Sequence, residues 1–267
     1  MIAFTKAHAC GNDFLVVDEP VAPESMPAVA KTLCARNTGV GADGVEFLAL
    51  AANGAYSIRL FNADGSEAEI SGNGTRCVAA VLAQQDDADK FALRTGAGLR
   101  RCRIISREGP RYTIETEMGI PVVAAKTIRL GDGSAIDGVF VDMGNPHFVI
   151  FEDALPAGTS EVPWQQVGAE ICGHSAFPQG VNVEFVRVTG TDSVFFHIYE
   201  RGVGPTQSSG TGTCATAAAG MVFRNLQRTL TVRSEGGEQR VTWPSLEKSL
   251  MLTGPAEIIA RGACFLL

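Results

Sequence analysis

Apolar and polar positions alternate or cluster over short runs along most of the chain. That is the period expected of half-buried strands. Such runs cover Ile2–Lys6, Phe14–Asp18, Tyr56–Asn62, Phe91–Thr95, Arg101–Ser106 and Tyr112–Glu117. They recur at Val139–Asp142, Phe148–Phe151, Asn182–Val188 and Val194–Tyr199, and four further strand-like segments close the chain. Between them, Pro23–Ala35 carries Met26, Val29, Ala30 and Leu33 at i, i+3, i+4 and i+7, a helical stripe. Helices are also expected over Gly74–Gln85, near Trp164–Ile171 and over Thr213–Arg224, the first and last opened by glycine turns.

Three blocks occur twice in the same order. Gly11-Asn12-Asp13-Phe14-Leu15-Val16-Val17 answers to Gly144-Asn145-Pro146-His147-Phe148-Val149-Ile150, each a Gly-Asn-x-x followed by an apolar strand. Gly44-Val45-Glu46-Phe47 answers to Asn182-Val183-Glu184-Phe185 through a shared Val-Glu-Phe. Ser71-Gly72-Asn73-Gly74-Thr75 answers to Ser209-Gly210-Thr211-Gly212-Thr213, each running into an alanine-rich stretch. Asn12 to Ser71 is 59 residues and Asn145 to Ser209 is 64. Ordered repetition on this scale indicates two similar domains rather than a solenoid. The composition break near Gly119–Val123 divides the chain into 1–120, joined by a returning strand over 260–267, and 121–259.

The length of 267 residues suits two such domains, and 45% hydrophobic residues exclude a disordered chain. A net charge of −7 with scattered Lys and Arg argues against nucleic acid and anionic membranes as partners. No apolar run is long enough to span a bilayer and the start lacks the pattern of a signal peptide, so a cytoplasmic location is expected. The seven cysteines are dispersed, with no pair at metal-ligand spacing, and read as reduced, buried thiols.

The two Ser-Gly-x-Gly-Thr turns carry the chemistry. A glycine turn feeding a helix presents unpaired N–H groups and the positive end of the helix dipole, a ready site for a carboxylate. Two such turns facing one ligand would flank its α-carbon from opposite sides, the geometry for inverting a stereocentre by proton removal and return.

The blocks CGNDF, GVGADGV, FNADGSEAEISGNGTRC, GNPH, FPQGVNVEF and YERGVGPTQSSGTGTC, spanning residues 10–214, resemble the diaminopimelate epimerase family. The resemblance implies an α/β (α+β) fold of two pseudo-symmetric domains, each a curved sheet wrapped around a central helix, with the active site at their interface. It implies cofactor-free interconversion of LL- and meso-diaminopimelate in lysine and cell-wall precursor synthesis. A small amino acid is then the partner, and a homodimer is compatible. By the family pattern Ser71, Ser209, His147 and Glu200 hold the catalytic positions. Asn12, Asn62, Asn145, Asn182, Glu200 and Arg201 match substrate-binding positions, and Gly72, Asn73, Gly210 and Thr211 the helix-start donors. Pro205 stands where family members often have Glu.

One departure falls on the reacting atoms. The family has cysteine where this chain has Ser71 and Ser209. A thiol ionises near pH ~8.5 and an alcohol nearer ~15.7, a gap of about 9–10 kcal/mol. A helix dipole contributes only about 0.3–2 kcal/mol. Serine therefore needs a neighbouring base, for which His147 and Glu200 are the candidates. Cys77 and Cys214, about 7–9 Å further along their helices, are read as packing residues. Three readings of the Ser/Ser pair stay open at this level. It could serve a related lyase or isomerase reaction on another small amino acid, mark a binding protein without turnover, or result from two introduced Cys→Ser changes.

Overall fold

The computed structural model describes residues 1–19, 22–50, 55–155 and 162–265. The chain divides into two compact units, Met1–Glu117 with Thr253–Leu267 and Met118–Leu252.

In the first unit the strands are β1 (Ile2–Ala9), β2 (Asn12–Asp18), β3 (Gly44–Leu50), β4 (Tyr56–Asn62), β5 (Glu67–Ala68), β6 (Lys90–Thr95), β7 (Gly98–Glu108) and β8 (Arg111–Gly119). The helices are α1 (Met26–Cys34) and α2 (Gly72–Gln85). β1 and β2 pair antiparallel, β2 and β3 parallel, and β3 and β4 antiparallel. β4 then pairs parallel with β6, and β6, β7 and β8 follow antiparallel. The chain's last strand (Leu250–Cys264) pairs with both β8 and β1, so the pairings close on themselves.

That closed sheet surrounds α2, in which every residue from Gly72 to Ala83 is buried. A helix buried on all sides needs no polar face, and Ala79, Ala80 and Ala83 keep it slim enough to pack against Ala7, Phe14, Leu93 and Ile114. β3 is buried on both faces and sorts its side chains by period two. Val45 and Phe47 pack in the cluster that holds α1, while Leu48 packs with α2.

The second unit repeats the pattern with β9 (Val122–Arg129), β10 (Ala135–Asp142), β11 (Pro146–Phe151), β12 (Asn182–Gly190), β13 (Ser193–Glu200), β14 (Gly204–Thr206), β15 (Thr229–Ser234) and β16 (Gly237–Thr242). Its helices are α3 (Trp164–Cys172) and α4 (Gly210–Phe223). The β10–β11–β12–β13–β15–β16 pairings run antiparallel, parallel, antiparallel, parallel and antiparallel, the order seen from β1 to β7. α4 is buried from Gly210 to Met221. The α+β class and the repeat are thus as expected.

Several elements differ from the sequence reading, which gives no strand over β3, β5 or β14. After α4 there are three strands, not four. The last of them is a 15-residue strand, β17 (Leu250–Cys264), which runs through Gly254 and Pro255 without breaking. The strand that pairs with β1 therefore begins well before residue 260. Its register runs from His8↔Glu257 to Ile2↔Cys264, and residues 266–267 of the expected segment lie outside the described residues. Finally, β9 occupies the stretch just after the composition break, where half-exposed Val, Ala, Lys and Thr give only a weak alternation.

Candidate active site

The two glycine turns are built alike. Ser71 is the N-cap of α2 in extended conformation, and its Oγ accepts from Gly74 N at 3.0 Å. Ser209 caps α4 in the same way, accepting from Gly212 N at 3.1 Å. The following threonine finishes each cap. Thr75 Oγ1 donates to Ser71 O and Thr213 Oγ1 to Ser209 O, both at 2.7 Å. Serine is a strong N-cap, so these turns are stable helix starts before any chemistry is asked of them. They also explain the second glycine of each motif. A Cβ on Gly74 would stand 2.1 Å from Glu46 Oε1 and 3.2 Å from Ser71 Cβ. On Gly212 it would stand 2.9 Å from Glu184 Oε1 and 3.1 Å from Ser209 Cβ. Each turn thus has a glutamate packed directly behind it.

In the second unit one hydrogen-bonded chain joins four of the expected residues to that glutamate. Glu184 Oε1 lies 2.6 Å from His147 Nδ1, with both side chains fully buried. His147 Nε2 lies 3.1 Å from Asn145 Oδ1, and Asn145 Nδ2 donates to Thr211 Oγ1 at 3.3 Å. Thr211 Oγ1 is 3.4 Å from Ser209 Oγ. Both imidazole nitrogens thus face side-chain oxygens. Burial pushes the Glu184 carboxyl up from its ordinary value, and the adjoining imidazole pulls against that rise.

Asn182 and Arg201 form a second group. Asn182 Oδ1 accepts from Arg201 N at 2.9 Å and its Nδ2 donates to Pro146 O at 3.0 Å. Arg201 Nη1 reaches Gln179 O at 3.2 Å. These bonds hold one side of a groove of about 600 Å³ lined in part by Lys126, Phe140, Pro146, Phe177 and Gln179. Glu200 is the last residue of β13, paired with Gly204 of β14, and its Oε1 accepts from Thr206 Oγ1 at 2.9 Å. Pro205 is an exposed residue of β14.

In the first unit Asn12 and Asn73 come together, Asn73 Nδ2 donating to Asn12 Oδ1 at 3.2 Å. Asn12 Nδ2 in turn donates to Asp43 at 2.7 Å, and the buried Arg76 donates to Asn73 Oδ1 at 2.6 Å. Arg36 bridges Asp13 and Asp43, and Lys6 pairs with Asp13 at 2.9 Å. These cations hold the Asp13 carboxyl below its ordinary value against the rise that burial causes. Asn62 stands apart from this group, donating to Ser66 Oγ at 3.0 Å in its own turn.

The sequence reading passes over Glu46 and Glu184, although the repeated Val-Glu-Phe is the signal. A charged residue between two apolar ones on a strand buried on both faces must meet something specific. Cys77 and Cys214 are fully buried, and burial pushes the Cys77 thiol far up, which disfavours its thiolate. Among the described residues no group of three His, Cys, Asp or Glu side chains is placed to hold a metal ion, and no helix is long and apolar enough to cross a membrane.

The family model described as diaminopimelate epimerase matches residues 4–124 and 139–259, one match to each half of the repeat. The chain belongs to the diaminopimelate epimerase family. It is 39% identical to the diaminopimelate epimerase of Pelotomaculum thermopropionicum over 97% of both chains. It is 35% identical to diaminopimelate epimerase 1 of a Nostoc species over 98% of this chain and 99% of that one. Family membership makes it an isomerase by descent. Solved structures of the same fold include a probable proline racemase from Agrobacterium radiobacter (TM-score 0.77, 18% identity, 98% of this chain and 92% of that one). A phenazine biosynthesis protein of the PhzF family from Bacillus anthracis also matches (TM-score 0.70, 15% identity, 100% and 99%).

Proposed function

We propose that this protein epimerises diaminopimelate, or an α-amino acid of similar build, at its α-carbon without a cofactor. The observation that carries the reading is the buried chain from Glu184 through His147, Asn145 and Thr211 to Ser209. It sets a histidine–carboxylate pair behind a helix start, where the absent thiol leaves a need for another proton carrier.

Each group then has a task. At the start of α4 the Gly212 N–H is taken by Ser209 Oγ and the Thr213 N–H by Ser209 O, so the N–H groups of Gly210 and Thr211 lie ahead of the cap. A substrate carboxylate there is held by two N–H groups and the helix dipole, which favours the negative charge that builds up when the α-proton leaves. The His147–Glu184 pair exchanges that proton, and Asn145 and Thr211 orient the imidazole and the Ser209 hydroxyl relative to each other. Asn182 fixes the Arg201 backbone, and the Arg201 guanidinium suits a second, distal carboxylate.

The test is incubation with LL-diaminopimelate followed by chiral separation. Appearance of the meso isomer supports the reading. Binding without conversion would identify an amino-acid-binding protein, and a dehydrated product from a β-hydroxy amino acid would identify a lyase.

A further inference from the structure

Glu46 is completely buried on β3, and neither of its carboxylate oxygens has a hydrogen-bond partner among the described residues. An unpartnered carboxyl in an apolar setting is costly, and such groups concentrate where proton chemistry needs them. The repeat explains why it lacks a partner. Glu184 is answered by His147, which stands opposite Asn182 in the β11–β12 register. Glu46 is placed two residues beyond Gly44 just as Glu184 is placed two beyond Asn182, but Gly44 stands opposite Phe14. A phenyl ring occupies the place of the imidazole.

What lies before Glu46 is a narrow crevice, without room for a water molecule, lined by Glu46, Ser71, Thr75, Thr95 and the exposed Glu69. Three of the lining residues carry hydroxyls. Thr75 donates its proton to Ser71 O and Thr95 donates to Gly98 O. Ser71 Oγ accepts from Gly74 N, and its own proton has no acceptor among the described residues. We propose that Glu46 is the proton store of the first unit's half-site, exchanging its proton with the substrate α-carbon through the Ser71 hydroxyl. Glu46 is thus a positioning and relay residue, and Ser71 is the group that touches the substrate. This rests on the epimerase reading.

The step balances without forming an alkoxide. As the α C–H bond breaks, its proton passes to Ser71 Oγ while the Ser71 proton passes to the Glu46 carboxylate, a transfer that needs a side-chain rotation to bring together two groups that are not hydrogen-bonded to each other in this structure. The electron pair of the broken bond stays on the α-carbon, spread into the substrate carboxylate. The reverse transfer delivers a proton from the Glu46 carboxylic acid. Burial pushes the Glu46 carboxyl up to about 8, close to the ~8.5 of a free thiol. The relay thus supplies the proton affinity that the cysteine-to-serine change removes. The other ionisable groups beside this carboxyl are Glu69 in the crevice and Cys77 on α2, whose thiol lies within the field of Glu46.

Two readouts test this. In D2O with diaminopimelate, Glu46→Gln should lower α-deuterium exchange by about 10²–10⁴-fold with little change in KM, the usual contribution of a positioned acid–base. It should also remove the limb of the rate profile near pH 8, and Glu46→Asp should recover part of the rate. Unchanged rate and profile in Glu46→Gln would overturn the inference. Independently of turnover, infrared difference spectra of wild type against Glu46→Gln should show a carboxylic acid band that titrates near pH 8, its midpoint displaced by Ser71→Ala. If wild type neither exchanges nor epimerises but this displaced band is present, the epimerase reading fails while the Glu46–Ser71 pair stands. A band indifferent to Ser71→Ala, or no band, overturns the pair.

Discussion

Replacing Glu46 by glutamine should make the protein more stable, by an amount that depends on pH. The unfolded carboxyl ionises at its ordinary 4.5, whereas burial pushes the native one up to about 8. Between those values the native state binds more protons than the unfolded state, so stability falls as pH rises from about 4.5 to about 8 and is level beyond. At about 1.36 kcal/mol per pH unit the total loss is on the order of 5 kcal/mol, a large share of an ordinary folding free energy. The glutamine amide has nearly the same shape as the carboxyl and cannot ionise, so the Glu46→Gln variant escapes the loss. Urea denaturation from pH 4 to pH 9 measures it. The two proteins should have similar midpoints at pH 4, and the variant should pull ahead through neutral pH to a plateau near pH 8. With an m-value of about 3 kcal/mol/M, the plateau corresponds to about 1.5 M urea. Parallel midpoints across this range would show that the native carboxyl ionises normally, and the account of its burial would fail.

Other consequences follow from the same contacts. His147→Ala removes the imidazole that partners the buried Glu184 carboxyl and should cost about 3–5 kcal/mol in urea denaturation, whereas Glu184→Gln should cost less stability but still abolish most exchange. Gly74→Ala drives a methyl group against Glu46 Oε1 and should destabilise by about 1–3 kcal/mol, measured as a lowered Tm. Ser71→Ala removes the α2 cap and should cost about 1 kcal/mol, against a far larger effect on α-proton exchange. Changing Ser71 and Ser209 together to cysteine should raise exchange at pH 8 and make it sensitive to alkylating reagents, since helix starts lower thiol pKa values.

The helices and most strands are legible in the sequence because period and caps agree. The stripe of Met26, Val29, Ala30 and Leu33 packs as the spacing requires, and both Ser-Gly-x-Gly-Thr turns are N-caps. The strand count after α4 falls short of the four segments the sequence suggests, and β17 continues through Gly254 and Pro255, residues that mark turns elsewhere. In the site, the recurrence of Gly-Asn and of the two turns singles out Asn12, Asn73, Asn145, His147, Thr211 and Ser209, which fall into hydrogen-bonded groups within their units. Glu46 and Glu184 escape a sequence reading for a physical reason. The sequence reading puts Glu184 on a strand and gives none around Glu46, and in neither case does it reveal burial on both faces of the strand, which sets the carboxyl apart chemically.

The most direct measurement is proton NMR of meso-diaminopimelate incubated with the wild-type protein in D2O. Proton carriers behind serine-capped helix starts predict loss of the α-proton signal well above the buffer rate, with deuterium retained in the LL isomer formed. An undiminished α-proton signal at high protein concentration, across pH 6 to 9, would contradict the account.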